Sequence, residues 1–138
     1  MATGQSKSNY AEALVLNALL KGSGFTAPAS HYLALYTTAP TDSGGGTEVT
    51  TSATAYARQS IAFGSVATQS PSGSQVASSA DITFPTATAN YGTVVAFGIF
   101  DASSAGNLLY YANLTSSQTI NTGNQALFPA GSITVLED

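Results

Sequence analysis

The sequence contains no cysteine and no tryptophan, and only one histidine among its 138 residues. The absence of cysteine excludes disulfides, cysteine-ligated zinc and thiolate nucleophiles. A chain of this length can bury a sizeable core without such cross-links, and it has the usual size of one domain. We therefore predict a single domain over residues 9–138, preceded by a flexible polar arm at residues 1–8.

Charged residues are also scarce. They make up 7% of the chain, against roughly 25% in an average globular domain. The basic residues are Lys7, Lys21 and Arg58, and the formal net charge is −4. Binding to nucleic acid or to an anionic membrane needs clustered cations, so both functions are excluded. A surface with little charge repulsion suits a protein packed against neighbours. A secreted β-domain made soluble by serine and threonine is the alternative.

No apolar run is long enough to span a membrane. The longest, residues 11–20, has about half the required length and contains Glu12 and Asn17. The same segment makes a poor signal peptide, because its basic flank is Lys7 alone and no clean cleavage site follows. The sequence therefore predicts no membrane anchor.

Residues that usually carry out chemistry are few and isolated. His31 is the one imidazole, and no G-x-S-x-G motif accompanies it. Most carboxylates fall where a helix cap, a turn or the chain end explains them. The two that remain, Glu48 and Asp81, have no spacing that brings them together. Metal-binding motifs are absent as well. We therefore predict no catalytic residue, no metal site and no cofactor, and a protein that is not an enzyme.

Residues 9–21 predict a helix. Asn9 is a suitable N-cap, Glu12 follows at the capping-box spacing, and Gly22 ends the pattern. The apolar stripe of this helix is unusually broad. It consists of Ala11, Leu14, Val15, Leu16, Ala18, Leu19 and Leu20. This breadth predicts burial on two sides, against the sheet of the domain and against another subunit. Burial by the domain alone is equally compatible with the pattern.

After Gly24 the apolar residues alternate with a period of two, which is typical of half-buried strands. The predicted strands are residues 31–38, 54–63, 80–84, 93–100, 107–114 and 132–137. Between them we predict an exposed loop at 39–48 and a turn at 69–75. Short strands separated by turns predict an all-β fold. We expect an antiparallel β-sandwich, jelly-roll-like, with one N-terminal α-helix.

The alternation also assigns side chains to faces of the predicted strands. Leu33 and Leu35 share one face of the strand at 31–38. In the strand at 54–63, the residues predicted to point inward are Ala57, Ile61 and Phe63, and those predicted to point away are Tyr56 and Arg58. In the hairpin at 94–114, one face is predicted to hold Val95, Phe97 and Ile99, paired with Leu109 and Tyr111. Gly98 in mid-strand predicts a close approach by another group.

Without tryptophan, the tyrosines are the largest amphipathic side chains available for contacts. Seven are spread along the chain, and tyrosine is enriched in protein interfaces. We therefore predict a protein interface that includes Tyr10, Tyr32, Tyr36, Tyr56, Arg58, Tyr91 and Tyr111. Tyrosines also line cores and sugar-binding sites, and the sequence leaves these alternatives open.

An ordered set of short blocks gives the chain a family resemblance. The blocks are LALYTTAPT, GTEV, YARQ, FPTATA, FGIFD, GNLLYYANL, INTG and FPAG. In these blocks the chain resembles a family of small virion proteins of tailed bacteriophages, which are usually labelled tail fibre proteins. The resemblance extends over residues 9–136. The resemblance implies a non-enzymatic component of the virion.

Two placements in a virion are compatible with this resemblance. Our leading hypothesis is a capsid cement or decoration protein on the outer head surface. It would form a dimer or trimer and bridge copies of the major capsid protein. The compact length, the low charge and the lack of a coiled-coil shaft favour it. The alternative is a tail-fibre or tail-tip adhesin that binds a host surface glycan or receptor, and a small glycan hydrolase is a third hypothesis.

Overall fold

The computed structural model describes residues 2–68 and 73–137. Its helix and strands are β1 (Ala2–Lys7), α1 (Asn9–Leu20), β2 (His31–Thr38), β3 (Thr47–Glu48), β4 (Gln59–Ile61), β5 (Ala67–Thr68), β6 (Ser74–Ala77), β7 (Ile82–Thr83), β8 (Gly92–Phe100), β9 (Leu108–Ile120), β10 (Leu127–Phe128) and β11 (Thr134–Glu137). Strand pairings in the described ranges are antiparallel. The predicted all-β class with one helix is confirmed. Most of the turn predicted at 69–75 lies outside the described residues.

A six-stranded sheet organises the fold. Its order is β1-β9-β8-β2-β3, with β4 also paired to β2, and the predicted hairpin is its central pair β8 and β9. Two smaller sheets, β11-β6-β5 and β10-β7, complete the architecture. These strand orders do not confirm the expected jelly-roll arrangement.

Both faces of β2 are buried. Leu33 and Leu35 belong to the larger core, which includes residues of the smaller sheets. Ala34 and Tyr36 belong to a smaller cluster on the other face. Successive side chains of a regular strand point to opposite faces, so the predicted alternation of β2 is confirmed.

Residues 2–7 form an edge strand within the segment 1–8 that we predicted as a flexible polar arm, and the flexibility of this segment stays a prediction. β1 pairs with β9 from Ala2 opposite Leu114 to Lys7 opposite Tyr110. The segment is polar and shows no apolar alternation. Its pairing uses backbone groups at the free edge of β9, and such pairing leaves no periodic pattern in the strand's own sequence.

Only Gln59–Ile61 of the strand predicted at 54–63 is paired as a strand. Ala53 and Ala55 both have a φ of 62°, which is incompatible with extended backbone. The predicted faces are therefore wrong at Tyr56 and Ala57, whereas Ile61 lies in the larger core and Phe63 packs against it as predicted. Tyr56 is buried in the larger core, whereas Ala57 is exposed.

Irregular pairing between β8 and β9 changes the predicted faces of the hairpin. The register of the two strands shifts between Val94 and Ala96. Val94 therefore lies in the larger core, whereas Val95, which was predicted to share a face with Phe97, packs against the smaller cluster. Tyr111 lies opposite Gly98 and packs against the same smaller cluster, while Tyr110 packs against the larger core. A bulge interrupts strict alternation, which the hydrophobic pattern alone does not reveal.

The helix α1 is capped by Ser8 and not by Asn9, since the Ser8 hydroxyl accepts a hydrogen bond from the Ala11 N–H at 3.2 Å. Gly22, with a φ of +63°, follows its end as predicted. Residues 21–30 then lead to β2 without regular structure, and their side chains are exposed except that of Pro28. In the described ranges, no helix has the length and hydrophobicity needed to cross a membrane.

Candidate functional site: an exposed apolar helix face

The outer side of α1 concentrates exposed apolar side chains. Nine large apolar residues are exposed in the described part of the chain, and six of them lie on α1 or shortly after it. These six, hereafter the outer helix face, are Tyr10, Val15, Leu16, Leu19, Leu20 and Phe25. Single exposed apolar residues are normal, but a continuous group of this size marks an interaction surface in most soluble proteins.

The geometry of the helix explains why these residues are exposed. Ala11, Leu14 and Ala18 recur at helical spacing, and they are the residues of α1 that the rest of the chain covers, Ala11 fully and the other two partly. The helix contacts β9 and β1. Leu19 and Leu20 lie on other sides of the helix and are 76% and 77% exposed. Burial by the domain alone is therefore not what the structure shows.

Most side chains of the outer helix face are open to solvent over more than half of their surface. The exposed fractions are 56% for Leu16, 76% for Leu19, 77% for Leu20 and 53% for Phe25. Exposure of this much apolar surface to water is unfavourable, because its burial stabilises a complex by about 25 cal/mol for each Å² removed from water. The surface is thus suited to a partner that is also apolar.

Two charged residues lie at the ends of α1. Glu12 lies in the first turn of α1 and is exposed, and Lys21 is the C-cap residue. No other charged residue belongs to the helix. An acidic group near the N-terminus and a basic group near the C-terminus both interact favourably with the helix dipole.

The residues predicted to form a tyrosine interface are not brought together. Tyr36, Tyr56 and Tyr91 are buried inside the chain, so their rings fill cores and do not form a surface. Tyr10 lies on the outer helix face. Tyr32 and Tyr111 are partly buried on the main sheet. An interface role for the accessible residues stays a prediction.

Tyr56 and Arg58 share one carboxylate. The Tyr56 hydroxyl donates to Glu48 Oε1 at 2.8 Å and accepts from the Leu35 N–H at 2.9 Å. Burial is the main cause that raises the pKa of Tyr56. Burial, followed by the charge of Glu48, raises the pKa of Tyr36 to about 12. The positive charge of Arg58 opposes both shifts. Both phenols therefore stay neutral at physiological pH, and both side chains are buried parts of the fold.

Residues considered for catalysis have structural contacts. The ring of His31 packs edge-on against Phe63 with 6.3 Å between centroids. Glu48 pairs with Arg58, and Asp81 accepts a hydrogen bond from the Ala130 N–H at 2.8 Å. Across residues 2–68 and 73–137, no three potential metal ligands lie together. These contacts account for the positions of the three side chains without a chemical role.

Sequence reasoning found part of the outer helix face. The broad apolar stripe predicted contact with a second subunit on the basis of Leu16 and Leu20, but it could not say which side of α1 the domain leaves open. Phe25 was missed, because it lies in an irregular segment where no periodic pattern marks it. The one feature of the sequence that could have indicated it is a large aromatic residue directly after the glycines that end the helix, Gly22 and Gly24.

Comparison with known families gives a match over nearly the whole chain. Residues 6–136 match the family described as "Podophage GP4 fiber I protein gp80". No curated protein matches the sequence. The matched range extends from the end of β1 to β11 and includes the entire outer helix face.

Proposed function

The chain belongs to this podophage fibre family, and we propose that it is a non-enzymatic structural subunit of the tail fibre that assembles with copies of itself through the outer helix face. The match over residues 6–136 supports the fibre placement. It lends no support to the capsid-cement placement that we favoured from the sequence. A fibre subunit needs specific contacts with other virion proteins, and a large apolar surface supplies such contacts.

The observation that carries the self-association is the exposure of a helix that its own domain covers mainly at Ala11. Helices pack when their side chains interdigitate over an apolar face. Leu16 lies between the two ends of the outer helix face, with Leu19 and Leu20 one turn further along. A second copy offers an identical apolar face, as symmetric homo-oligomers do.

The charges of α1 do not choose between parallel and antiparallel packing of two copies. Glu12 and Lys21 are nine positions apart, which is about 13 Å along a helix and half a turn around its axis. The two side chains therefore project from opposite sides of α1 and cannot both lie in one contact between two helices. The proposed homodimer rests on the apolar side chains of the outer helix face.

Sedimentation velocity with the full chain tests the self-association. We expect a dimer for the natural sequence and a monomer for the double variant Leu16→Glu, Leu19→Glu, because two charges on each face would be buried without partners. Leu136→Glu, on an exposed leucine of β11 that is outside the outer helix face, is the matched control and should stay dimeric. A natural chain that remains monomeric at a concentration of about 100 µM contradicts the proposal.

Immunogold labelling of purified virions tests the tail placement. We expect label at the tail and a low copy number for this chain relative to the major capsid protein. Label spread over the head, with hundreds of copies per particle, would contradict the fibre proposal and favour the cement hypothesis. This measurement is independent of the oligomeric state in solution.

A further inference from the structure

A second surface, to which α1 contributes no residue, is concave and uncharged. It is a groove of about 610 Å³ that lies between the C-terminal part of β9 and the segment carrying β10. We name it the neutral groove, since none of its lining residues has an ionisable side chain. Its volume falls within the range of roughly 300–1,000 Å³ that is typical of small-molecule sites.

The neutral groove has an apolar floor and a polar rim. Leu114 and Phe128 line its floor and are partly buried against the larger core, and Leu35 and Val94 lie beneath them inside that core. Its rim carries hydroxyl and amide groups, of which Gln118, Thr119 and Asn124 are exposed. Each of these polar groups can both donate and accept hydrogen bonds, so the rim can match a ligand that does the same.

An irregularity in the main sheet builds one wall of the groove. Between Val94 and Ala96, β8 advances by two residues, while its partners on β9 change by five, from Gln118 to Asn113. The additional β9 residues depart from the ladder of paired residues, and Ser116 among them lines the groove. Such bulges redirect side chains and are frequent next to binding sites.

An aromatic ring and an unsatisfied hydroxyl lie on the opposite side of the groove. The ring of Phe128 is held edge-on against Phe84, with 6.1 Å between the centroids, and is only partly buried. It offers a flat apolar surface to a ligand. The hydroxyl oxygen of Ser132 is buried and has no hydrogen-bond partner among the described residues. A buried polar group in this state is rare in folded proteins and costs stability.

We propose that the neutral groove binds a neutral saccharide. The hydroxyl groups of a sugar both donate and accept hydrogen bonds, as the rim requires, and its C–H faces suit Phe128 and the apolar floor. The lining offers no cation to an anionic sugar or a phosphate, which bind through charge-assisted hydrogen bonds. This inference rests on the proposed fibre function, because a fibre subunit can present such a groove to a cell surface.

An NMR titration of the ¹⁵N-labelled full chain tests the proposal. The probes are four neutral trisaccharides, built from glucose, galactose, mannose and N-acetylglucosamine, and a sialic acid trimer as the anionic comparison. We expect at least one neutral trisaccharide to shift the amide signals of Gln118, Asn124 and Phe128. No shift with any of the four at millimolar concentration, or equal binding of the sialic acid trimer, would overturn the proposal.

Matched variants locate the binding. Gln118→Ala and Asn124→Ala should each weaken binding about tenfold, the effect of losing one or two hydrogen bonds to the ligand. Gln59→Ala on β4, which does not line the groove, should leave binding unchanged, and equal affinity of Gln118→Ala and Gln59→Ala would contradict the site. Sedimentation of the same samples separates the two proposals. Dimers that bind no sugar refute the saccharide site alone, and monomers that bind sugar refute the self-association alone.

Discussion

Arg58 and Glu48 form a two-point ion pair, with Nε donating to Oε1 at 2.9 Å and Nη2 donating to Oε2 at 2.8 Å. The Nη1 group of the same guanidinium donates to the carbonyls of Ala102 and Ala105 at 3.0 and 2.8 Å. The guanidinium carbon also lies 3.6 Å above the centroid of the Phe100 ring. One side chain thus connects β3, the loop before β4 and the turn of the central hairpin.

Replacing this arginine should destabilise the fold. The Arg58 side chain is 9% exposed, and an ammonium group cannot reproduce the planar pairing with a carboxylate and two carbonyls. We expect Arg58→Lys to lower the free energy of unfolding by about 2 kcal/mol or more, because it leaves Glu48 only partly satisfied. Lys21→Arg, an exposed exchange between the same two residue types, should change it by less than about 0.5 kcal/mol. Urea denaturation measures both, and equal stability of the two variants would contradict the role given to Arg58.

Gly98 has no room for a side chain. A Cβ at this position would lie 2.8 Å from Leu108 Cδ1 and 3.1 Å from Tyr36 Cε2. We therefore expect Gly98→Ala to destabilise the chain by about 1–3 kcal/mol through overpacking of the smaller cluster. Gly24→Ala is the matched control, since nothing lies within 4 Å of a Cβ there. Thermal unfolding compares the two, and an unchanged midpoint for Gly98→Ala would show that the close approach is absent in solution.

Acid should weaken the contact between the last strand and β1. Burial alone would raise the pKa of Glu137, but hydrogen bonds from Lys7 Nζ and the Tyr110 hydroxyl, together with the lysine charge, lower it. The ionised carboxylate therefore stabilises the folded state fully above the ordinary glutamate pKa of about 4.3. This contribution is lost as the pH falls through the lower pKa of the folded state.

The variant Glu137→Gln tests this pH dependence. This substitution should lower the urea concentration at the midpoint of unfolding at neutral pH. Its effect should be smaller at acidic pH, where Glu137 of the natural chain is itself protonated. Lys7→Met should show the same trend, because it removes the partner at 2.6 Å. A difference between natural chain and variant that does not change with pH would mean that the ion pair does not form in solution.

The sequence predicts regular elements well where one periodic pattern governs them. β2 is an example, since Leu33 and Leu35 alternate with Ala34 and Tyr36 between two cores. Prediction fails at Tyr56, where two alanines in the left-handed region end the alternation. It fails again at Val95, where a register shift reverses the face. Both events depend on pairing with distant strands, which a local pattern does not contain.

The candidate site was predicted in part for a similar reason. Tyrosine enrichment at interfaces suggested seven contact residues, but a chain without tryptophan also needs tyrosine to fill its cores, and Tyr36, Tyr56 and Tyr91 do so. The apolar breadth of α1 was visible in the sequence. Its exposure depends on how little of the helix β9 and β1 cover, and this is a property of the tertiary arrangement.

The open connection at residues 21–30 has a consequence for how the first twenty residues are held. The connection forms no regular structure, and its side chains are exposed except that of Pro28. β1 pairs with the edge of β9, and the Leu109 and Asp42 carbonyls accept hydrogen bonds from the Ser8 and Asn9 N–H groups at the start of α1. The position of the outer helix face therefore depends on these backbone bonds and not on the segment that joins α1 to β2.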